Sequence, residues 1–319
     1  MSLKYNVAVV DDQGIYFKEY KEFIDDYLLS NGFEADVDHV PSEQDFSSYP
    51  LEKPDLFLVD LMFAREDKGQ LFIEKIRENN ILTDVLFYSS NHDAILKYRS
   101  SLGTQGIFFA ERDEQNDEVE PLLEKMLNKM ILKSNTPRTT RGIVMECVSE
   151  LDDKIKAKTL LLINKLPAEK RDDVYRKIVK LYKDSYDGRL NHLKDFFDAD
   201  FADKKDNSFI SSLDLNYSVE ELMDNFRVTD SNKNFRIMLE LYKVINGRDA
   251  LYNDIKEYTN LLDKRNILAH VTQKKCDQGY MFRTRKKGQE DSNYILTDDE
   301  SILLRKTVLS LDKLIDKIK

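Results

Sequence analysis

The first 132 residues alternate between short apolar runs and longer amphipathic segments, and this alternation limits the possible folds more than any other feature of the chain. Runs of strand length occur in YNVAVVDD, PDLFLVD, DVLFYSS and GIFFA, with a weaker one in EADVDHV. Segments with helical periodicity, such as GIYFKEYKEFIDDYLLSNG and GQLFIEKIRENN, separate them. Strands that alternate with helices predict a doubly wound α/β domain with a parallel sheet over residues 1–132.

Polar residues stand where three of these predicted strands end. Asp11 and Asp12 end the first strand, Asp60 ends the central strand and Ser89 ends the next one. Sites in doubly wound sheets form just beyond the carboxyl ends of the strands. The sequence therefore predicts that three carboxylates and one hydroxyl converge on one crevice.

Three carboxylates in one crevice predict a bound cation. Neighbouring carboxylates repel one another, and they ionise together only when a hard cation such as Mg²⁺ lies among their oxygens. A carboxylate beside such a metal is also a good phosphoryl acceptor, since the ion offsets the charge of both partners. The alternative interpretation is that the acids are solvated strand-end residues of an ordinary α/β domain.

The segments VAVVDDQ, LFLVDLM and VLFYSS resemble the response-regulator receiver domain, and the match covers residues 1 to about 132. The resemblance implies a flavodoxin-like strand order, with Asp60 as the phosphoacceptor. It also implies that Asp11 and Asp12 help Asp60 to bind Mg²⁺, and that Ser89 takes the switch position that contacts the phosphoryl group. The implied partner is a histidine kinase or a phosphotransfer protein.

One position departs from the family. Receiver domains usually have a lysine at the end of the last strand, where this chain has Ala110 followed by Glu111. The missing ammonium group would contact the phosphorylated aspartate. Phosphorylation therefore requires Arg112 to reach into the site, and the alternative is a degenerate receiver that binds no phosphoryl group.

The segment KSNTPRTTRG, residues 133–142, is rich in Ser, Thr, Pro and Arg and is predicted to be a linker. Helical periodicity dominates residues 143–319, which predicts an α-helical bundle. One exception, GYMFRTRKKGQEDSNYILT, alternates around a KKGQ turn and predicts a β-hairpin before the last helix.

The two halves differ in charge. Residues 1–132 contain 13 lysines and arginines against 27 acids, whereas residues 133–319 contain 36 against 32. An acidic half does not favour nucleic acid, but a basic half can bind it where positive charge is concentrated. Between residues 264 and 287 a single acid, Asp277, accompanies eight basic residues: Lys264, Arg265, Lys274, Lys275, Arg283, Arg285, Lys286 and Lys287. The rings of Tyr280 and Phe282 lie among them and are candidates for stacking on a base.

The stretch RNILAH, residues 265–270, lies within this basic segment and resembles the signature motif of the HEPN superfamily, whose helical bundles often dimerise and act as metal-independent endoribonucleases. The resemblance implies that His270 is a general acid and base and that Arg265 stabilises the phosphate in the transition state. Asn266 would hold the histidine or the phosphate by a hydrogen bond. The resemblance also implies that the helical half binds RNA, needs no cofactor, and forms a homodimer that completes the site.

Other interpretations of the helical half stay open. It can be an inactive or nucleotide-binding HEPN-like bundle, or an unrelated bundle in which Arg265 and His270 are cations favoured at a helix C-terminus. The histidine in AHVTQKK also allows a histidine-phosphotransfer domain. The hypothesis that unites both halves is a receiver whose Asp60 phosphorylation regulates a HEPN-like nuclease, and the competing class is a non-enzymatic adaptor that binds a protein partner.

The two cysteines, Cys147 and Cys276, are too few for a disulfide framework or a zinc cage and favour a reducing compartment. No stretch has the pattern of a signal peptide or a membrane span. We therefore expect a cytoplasmic protein.

Overall fold

The computed structural model describes residues 3–63, 69–101, 106–113, 117–197, 230–284 and 292–319. The strands are β1 (Lys4–Val10), β2 (Glu34–Val40), β3 (Leu56–Asp60), β4 (Asp84–Ser89), β5 (Ile107–Glu111), β6 (Gln273–Cys276), β7 (Gly279–Thr284) and β8 (Ser292–Leu296). The helices are α1 (Gly14–Ser30), α2 (Glu43–Ser48), α3 (Gly69–Glu78), α4 (His92–Ser101), α5 (Val119–Ser134), α6 (Pro137–Lys165), α7 (Ala168–Phe197), α8 (Ser231–Asn246), α9 (Ala250–Ile255), α10 (Glu257–His270) and α11 (Asp298–Asp316).

The first five strands form one parallel sheet in the order β2-β1-β3-β4-β5. This confirms the predicted doubly wound α/β fold, followed by a helical C-terminal region. The chain order reverses beside β1, and β1 and β3 pair in parallel, with Val10 opposite Val59. A crevice between neighbouring strand ends is expected at this point.

The central strands are apolar because both of their faces are covered. All five residues of β3 are buried, as are the last five of β4. One face packs Phe57, Val59 and Phe87 against apolar residues of α3 and α4, including Phe72 and Ile76. Continuous burial explains why these strands appear in the sequence as unbroken apolar runs rather than as alternating ones.

Helix α1 ends at Ser30, two residues before Gly32. Gly32 has a φ of +78°, and its N–H donates to the carbonyl of Leu29. The N–H of Phe33 donates to the carbonyl of Leu28 and closes the last turn. A side chain at this φ is strained, so glycine is the residue that turns the chain from α1 into β2.

The segment predicted as a linker is mostly helical. Helix α5 ends at Ser134 and α6 already begins at Pro137. Thr136 caps the new helix, because its Oγ1 accepts a hydrogen bond from the N–H of Thr139 at 3.3 Å. Proline at a first helical position and threonine as a cap belong to a helix start as much as to a linker. Composition alone did not separate these two possibilities.

The C-terminal half is helical, with a small sheet before the last helix. The predicted hairpin is part of a three-stranded sheet in the order β6-β7-β8, and β6 was not expected. The helical periodicity of the segment ALYNDIKEYTNLLDKRNILAH, residues 250–270, predicts one helix, whereas the structure has two, α9 and α10. The segment SVEELMDNF, residues 218–226, which also has helical periodicity in the sequence, lies outside the described residues. Among the helices that the structure describes, none combines the length and apolar character that crossing a bilayer requires.

Two compact units divide the chain differently from the predicted domains. The first comprises Met1–Ile143, Lys274–Met281 and Ile295–Lys306, and the second comprises Val144–Gln273, Phe282–Tyr294 and Thr307–Lys319. That residues 1–132 and 143–319 fold as independent domains stays a prediction.

Arg305 illustrates why a late segment belongs to the first unit. Its side chain is 1% exposed, and the guanidinium lies 4.4 Å from the ring centre of Phe33. Its Nε donates to the carbonyl of Asn31 at 3.1 Å, and its Nη1 donates to Asn135 Oδ1 at 3.0 Å. These partners all belong to the first unit.

Candidate functional site

The predicted acids come together at the carboxyl edge of the parallel sheet. Asp11 and Asp12 follow the last residue of β1, and Asp60 is the last residue of the neighbouring strand β3. Carboxylate oxygens of all three lie within 4.8 Å of one another. The parallel pairing of β1 and β3 causes this arrangement, because it brings the two strand ends side by side.

Two of the three acids are buried. Asp11 and Asp60 are at most 1% exposed, whereas Asp12 is exposed. Asp11 Oδ1 accepts from the N–H of Gln13 at 2.7 Å, and its Oδ2 accepts from the hydroxyl of Tyr88 at 2.6 Å. Asp11 is therefore held on both oxygens.

Asp60 is held on one oxygen only. Its Oδ1 accepts from the N–H of Met62 at 3.0 Å. Its Oδ2 is buried and has no hydrogen-bond partner among the described residues. An unsatisfied buried carboxylate oxygen is costly, so it marks a position where a ligand atom is expected.

Burial changes the acidity of both buried carboxyls. It raises the pKa of Asp60 to about 6, and the facing charge of Asp11 adds to the increase. Burial likewise raises the pKa of Asp11, although the Tyr88 hydrogen bond opposes it. Both shifts record the cost of placing negative charges together away from water.

The cluster fits a hard divalent cation. It offers oxygen ligands from three carboxylates, and a bound cation would offset the repulsion that raises their pKa values. Asp60 Oδ1 accepts one hydrogen bond, from the N–H of Met62, and keeps a second lone pair that a cation can use. The donor set therefore agrees with a metal site at Asp11, Asp12 and Asp60.

Ser89 ends β4 beside the acids and is fully buried. Its Oγ accepts from the N–H of Asn91 at 3.1 Å, and its carbonyl accepts from the N–H of Arg112 at 2.8 Å. The main chain on both sides thus fixes the position of this hydroxyl.

The end of β5 carries no ammonium group, as the sequence indicated. Ala110 is buried, and Glu111 lies opposite Ser89 in the strand register. The Glu111 carboxylate contacts His92 Nδ1 at 2.7 Å. Arg112 does reach towards the acids, and its Nη1 lies 3.8 Å from Asp11 Oδ2.

Two side chains at this edge were missed by the sequence analysis. The Tyr88 hydroxyl contacts Asp11, and His39 Nε2 lies 2.8 Å from the carbonyl of Asp11. Phe17 stacks on His39 with ring centres 4.2 Å apart. No local sequence signal marks these residues, because each contact joins different strands or helices.

In the helical half, Arg265 belongs to a network of polar side chains. Its Nη2 donates to Ser231 Oγ at 3.1 Å. The Ser231 and Tyr258 hydroxyls donate to the two oxygens of Asp152 at 2.5 and 2.6 Å. Burial raises the pKa of Asp152, and these hydrogen bonds oppose the increase. Arg265 therefore has a structural role that its sequence motif did not suggest.

The other two residues of the RNILAH motif point elsewhere. Asn266 and His270 are exposed, and His270 is the last residue of α10. No hydrogen bond among the described residues joins Arg265 to either of them. The assignment of Arg265, Asn266 and His270 as a catalytic group stays a prediction.

The basic segment is described in part. Lys274, Lys275 and Arg283 are exposed on β6 and β7. Arg285, Lys286 and Lys287 lie outside the described residues. Phe282 is fully buried, so the expectation that its ring stacks on a base is wrong. A buried Phe282 packs on Tyr294 instead, with ring centres 5.9 Å apart.

Replacing Tyr258 tests the polar network. Tyr258→Phe removes a hydrogen bond to the half-buried carboxylate of Asp152, and we expect it to lower the free energy of unfolding by about 2 kcal/mol. Urea unfolding followed by circular dichroism measures the change. Tyr252→Phe is the matched control, since Tyr252 is buried and its hydroxyl bonds to none of the described residues. Equal effects of the two variants would contradict a stabilising hydrogen bond from Tyr258 to Asp152.

The chain has a structural likeness to a known protein domain. No protein-family model matches the chain, and no curated protein matches it. Among solved structures, the chain is similar to the signal receiver domain of a DNA-binding response regulator protein (merR) from Colwellia psychrerythraea 34H. The identity is 16%, the TM-score is 0.32, and the match covers 40% of this chain and 98% of that domain. Such a likeness says nothing about activity, and the strand order carries the fold assignment.

Proposed function

We propose that the N-terminal unit is a signalling receiver that accepts a phosphoryl group on Asp60. The observation that carries this proposal is the unsatisfied Oδ2 of Asp60, a buried nucleophile in a cluster of carboxylates. Asp11, Asp12 and Asp60 would hold Mg²⁺, which when bound offsets the negative charge of the carboxylates and of the incoming phosphoryl group.

The transfer needs a donor with a good leaving group. Asp60 Oδ2 would attack phosphorus and form a new P–O bond, while the bond from phosphorus to the donor breaks. The electron pair leaves with the donor group, which is imidazole for a phosphohistidine or acetate for acetyl phosphate. A histidine kinase or a phosphotransfer protein is therefore the class of partner that the site suits.

Ser89 would respond to the phosphoryl group on Asp60. Its buried hydroxyl stands at the end of β4, next to the strand that carries Asp60. A hydroxyl can donate a hydrogen bond to a phosphoryl oxygen. Movement of Ser89 towards the phosphoryl group would repack the β4 and β5 edge and alter how two copies associate.

Phosphorylation with acetyl phosphate tests the proposal. We expect purified protein with Mg²⁺ to gain the mass of one phosphoryl group, and Asp60→Asn to gain none. Asp93→Asn is the matched control, because Asp93 is an exposed acid on α4 outside the site. Intact-mass spectrometry and peptide mapping locate the group. Wild-type protein that stays unmodified with Mg²⁺ would contradict the proposal and favour a degenerate receiver.

The helical half is the proposed output of this receiver. One hypothesis for this output is metal-independent RNA cleavage by Arg265, Asn266 and His270 in a homodimer. The alternative hypothesis is a non-enzymatic adaptor that binds a protein partner. Arg265 donates to Ser231 within the fold, and this observation favours the adaptor. Incubation of labelled RNA in EDTA with wild type and His270→Ala separates the two. His270 is exposed, so loss of cleavage in this variant would not be a folding defect.

A further inference from the structure

Among the described residues, Arg112 is the basic residue that forms an ion pair with the acidic cluster, through Asp11. It lies just beyond the end of β5, and its N–H donates to the carbonyl of Ser89 at 2.8 Å. Its side chain is only 15% exposed. The main chain therefore anchors this arginine beside the hydroxyl that ends β4.

Tyrosine rings fix the direction of the guanidinium. Its central carbon lies 3.6 Å from the ring centre of Tyr16 on α1 and 5.5 Å from that of Tyr88 on β4. Contact with a tyrosine face favours a cation and restricts the freedom of a long side chain. The guanidinium is thus held at the crevice instead of extending into water.

The guanidinium has donors to spare. Its Nη1 is buried and forms no hydrogen bond with the described residues, and it lies 3.8 Å from Asp11 Oδ2, beyond hydrogen-bond distance. The Asp11 oxygen already accepts from Tyr88. Burial lowers the pKa of Arg112, but the charge of Asp60 and the nearby tyrosines leave it raised overall. An unused donor on a fixed cation thus faces the same cluster as the unused oxygen of Asp60.

We infer that Arg112 binds the phosphoryl group carried by Asp60, and that without this group it shares the charge of Asp11 with any divalent cation. The inference rests on the proposed phosphorylation of Asp60. A planar guanidinium can donate two parallel hydrogen bonds to phosphoryl oxygens, which suits it to this role. Before the phosphoryl group is transferred, the Arg112 guanidinium and a divalent cation compete for the same acidic cluster.

Two opposite effects follow from removing the guanidinium. Arg112→Ala should bind Mg²⁺ more tightly, because the neighbouring positive charge is gone. The same variant should bind a phosphoryl-like anion more weakly, because a contact is lost. A merely structural role predicts that both affinities fall together, since a disordered crevice binds neither ligand well.

The experiment compares wild type, Arg112→Ala and Arg112→Lys, with Arg99→Ala as control for an exposed arginine on α4. Isothermal titration measures Mg²⁺ affinity, and a second titration with beryllium fluoride at saturating Mg²⁺ measures affinity for a phosphoryl-like anion. We expect Arg112→Ala to bind Mg²⁺ about tenfold more tightly and the anion at least about tenfold more weakly. Arg112→Lys should lie between wild type and Arg112→Ala for the anion.

The outcomes separate this inference from the proposed function. Opposite shifts support the role of Arg112, whereas parallel losses or an unchanged anion affinity overturn it. Parallel acetyl phosphate reactions test the phosphoacceptor itself. Labelling of wild type and Arg112→Ala at the same rate overturns only the role of Arg112. Absence of labelling in wild type overturns the phosphoacceptor, and the role of Arg112 with it.

Discussion

Asp60→Asn should make the protein more stable at about pH 8 in EDTA, by about 3 kcal/mol of unfolding free energy. Burial and the charge of Asp11 raise the pKa of Asp60 from 3.8 in the unfolded chain to about 6. Above that value, folding must hold a buried negative charge that the variant lacks. Asparagine keeps an oxygen for the N–H of Met62 and offers its amide to Asp11.

The gain should depend on pH in a defined direction. A carboxyl with a raised pKa binds a proton more readily when folded, so wild-type stability increases as the pH falls through about 6 towards about 4. The variant lacks this increase, and the difference between the two proteins should disappear below about pH 4. The buried charge of Asp60 thus lowers the stability of the folded protein above about pH 6.

Thermal or urea unfolding across this pH range measures the difference. Asp93→Asn serves as control, because this exposed acid has no comparable burial. Excess Mg²⁺ should stabilise wild type more than Asp60→Asn, since the variant loses one ligand. An Asp60→Asn protein that is no more stable than wild type at about pH 8 in EDTA would contradict the cost assigned to this carboxyl.

Gly69→Ala should destabilise the protein by about 3 kcal/mol. Gly69 is the first residue of α3, and a β carbon there would lie 2.5 Å from the carbonyl oxygen of Asp60. The same atom would lie 2.7 Å from Leu61 Cα and from the Phe87 ring. Two of these neighbours are backbone atoms of the buried residues Asp60 and Leu61, so they cannot move aside without disturbing Asp60.

The variant should therefore affect function as well as stability. Displacement of the Asp60 main chain should slow labelling by acetyl phosphate more than the loss of stability explains. Gly142→Ala is the matched control, because a β carbon there meets nothing within 4 Å and the site lies in helix α6. Alanine is preferred over glycine in a helix, so this control should gain about 0.5–1 kcal/mol. A Gly69→Ala protein as stable as wild type would contradict the close approach of α3 to β3.

The acidic site could be predicted because it depends on two local features. Apolar runs mark β1, β3 and β4, and Asp11, Asp60 and Ser89 stand at their ends. Parallel pairing then brings strand ends together without information from distant residues. The helical periodicity of residues 143–319 was sufficient in the same way to predict a helical half.

Other features depended on contacts that no local pattern records. The sequence indicated that Arg112 would have to reach the acids, but it did not show the contacts with the Tyr16 and Tyr88 rings and the hydrogen bond to Ser89 that direct it there. Tyr88 appeared as one more apolar strand residue, although its hydroxyl holds Asp11. Arg265 was interpreted from its motif, whereas its hydrogen bond to Ser231 joins residues far apart in the chain.

The sequence by itself thus determined the parallel α/β fold, the acids at its edge and the helical character of the rest, because burial and periodicity act on neighbouring residues. Only the tertiary structure decided which oxygen of Asp60 is free, which cation faces it, and that Arg305 belongs with Phe33 and Asn135. These features depend on hydrogen bonds and ring contacts between elements, and such contacts exist only once the chain has packed.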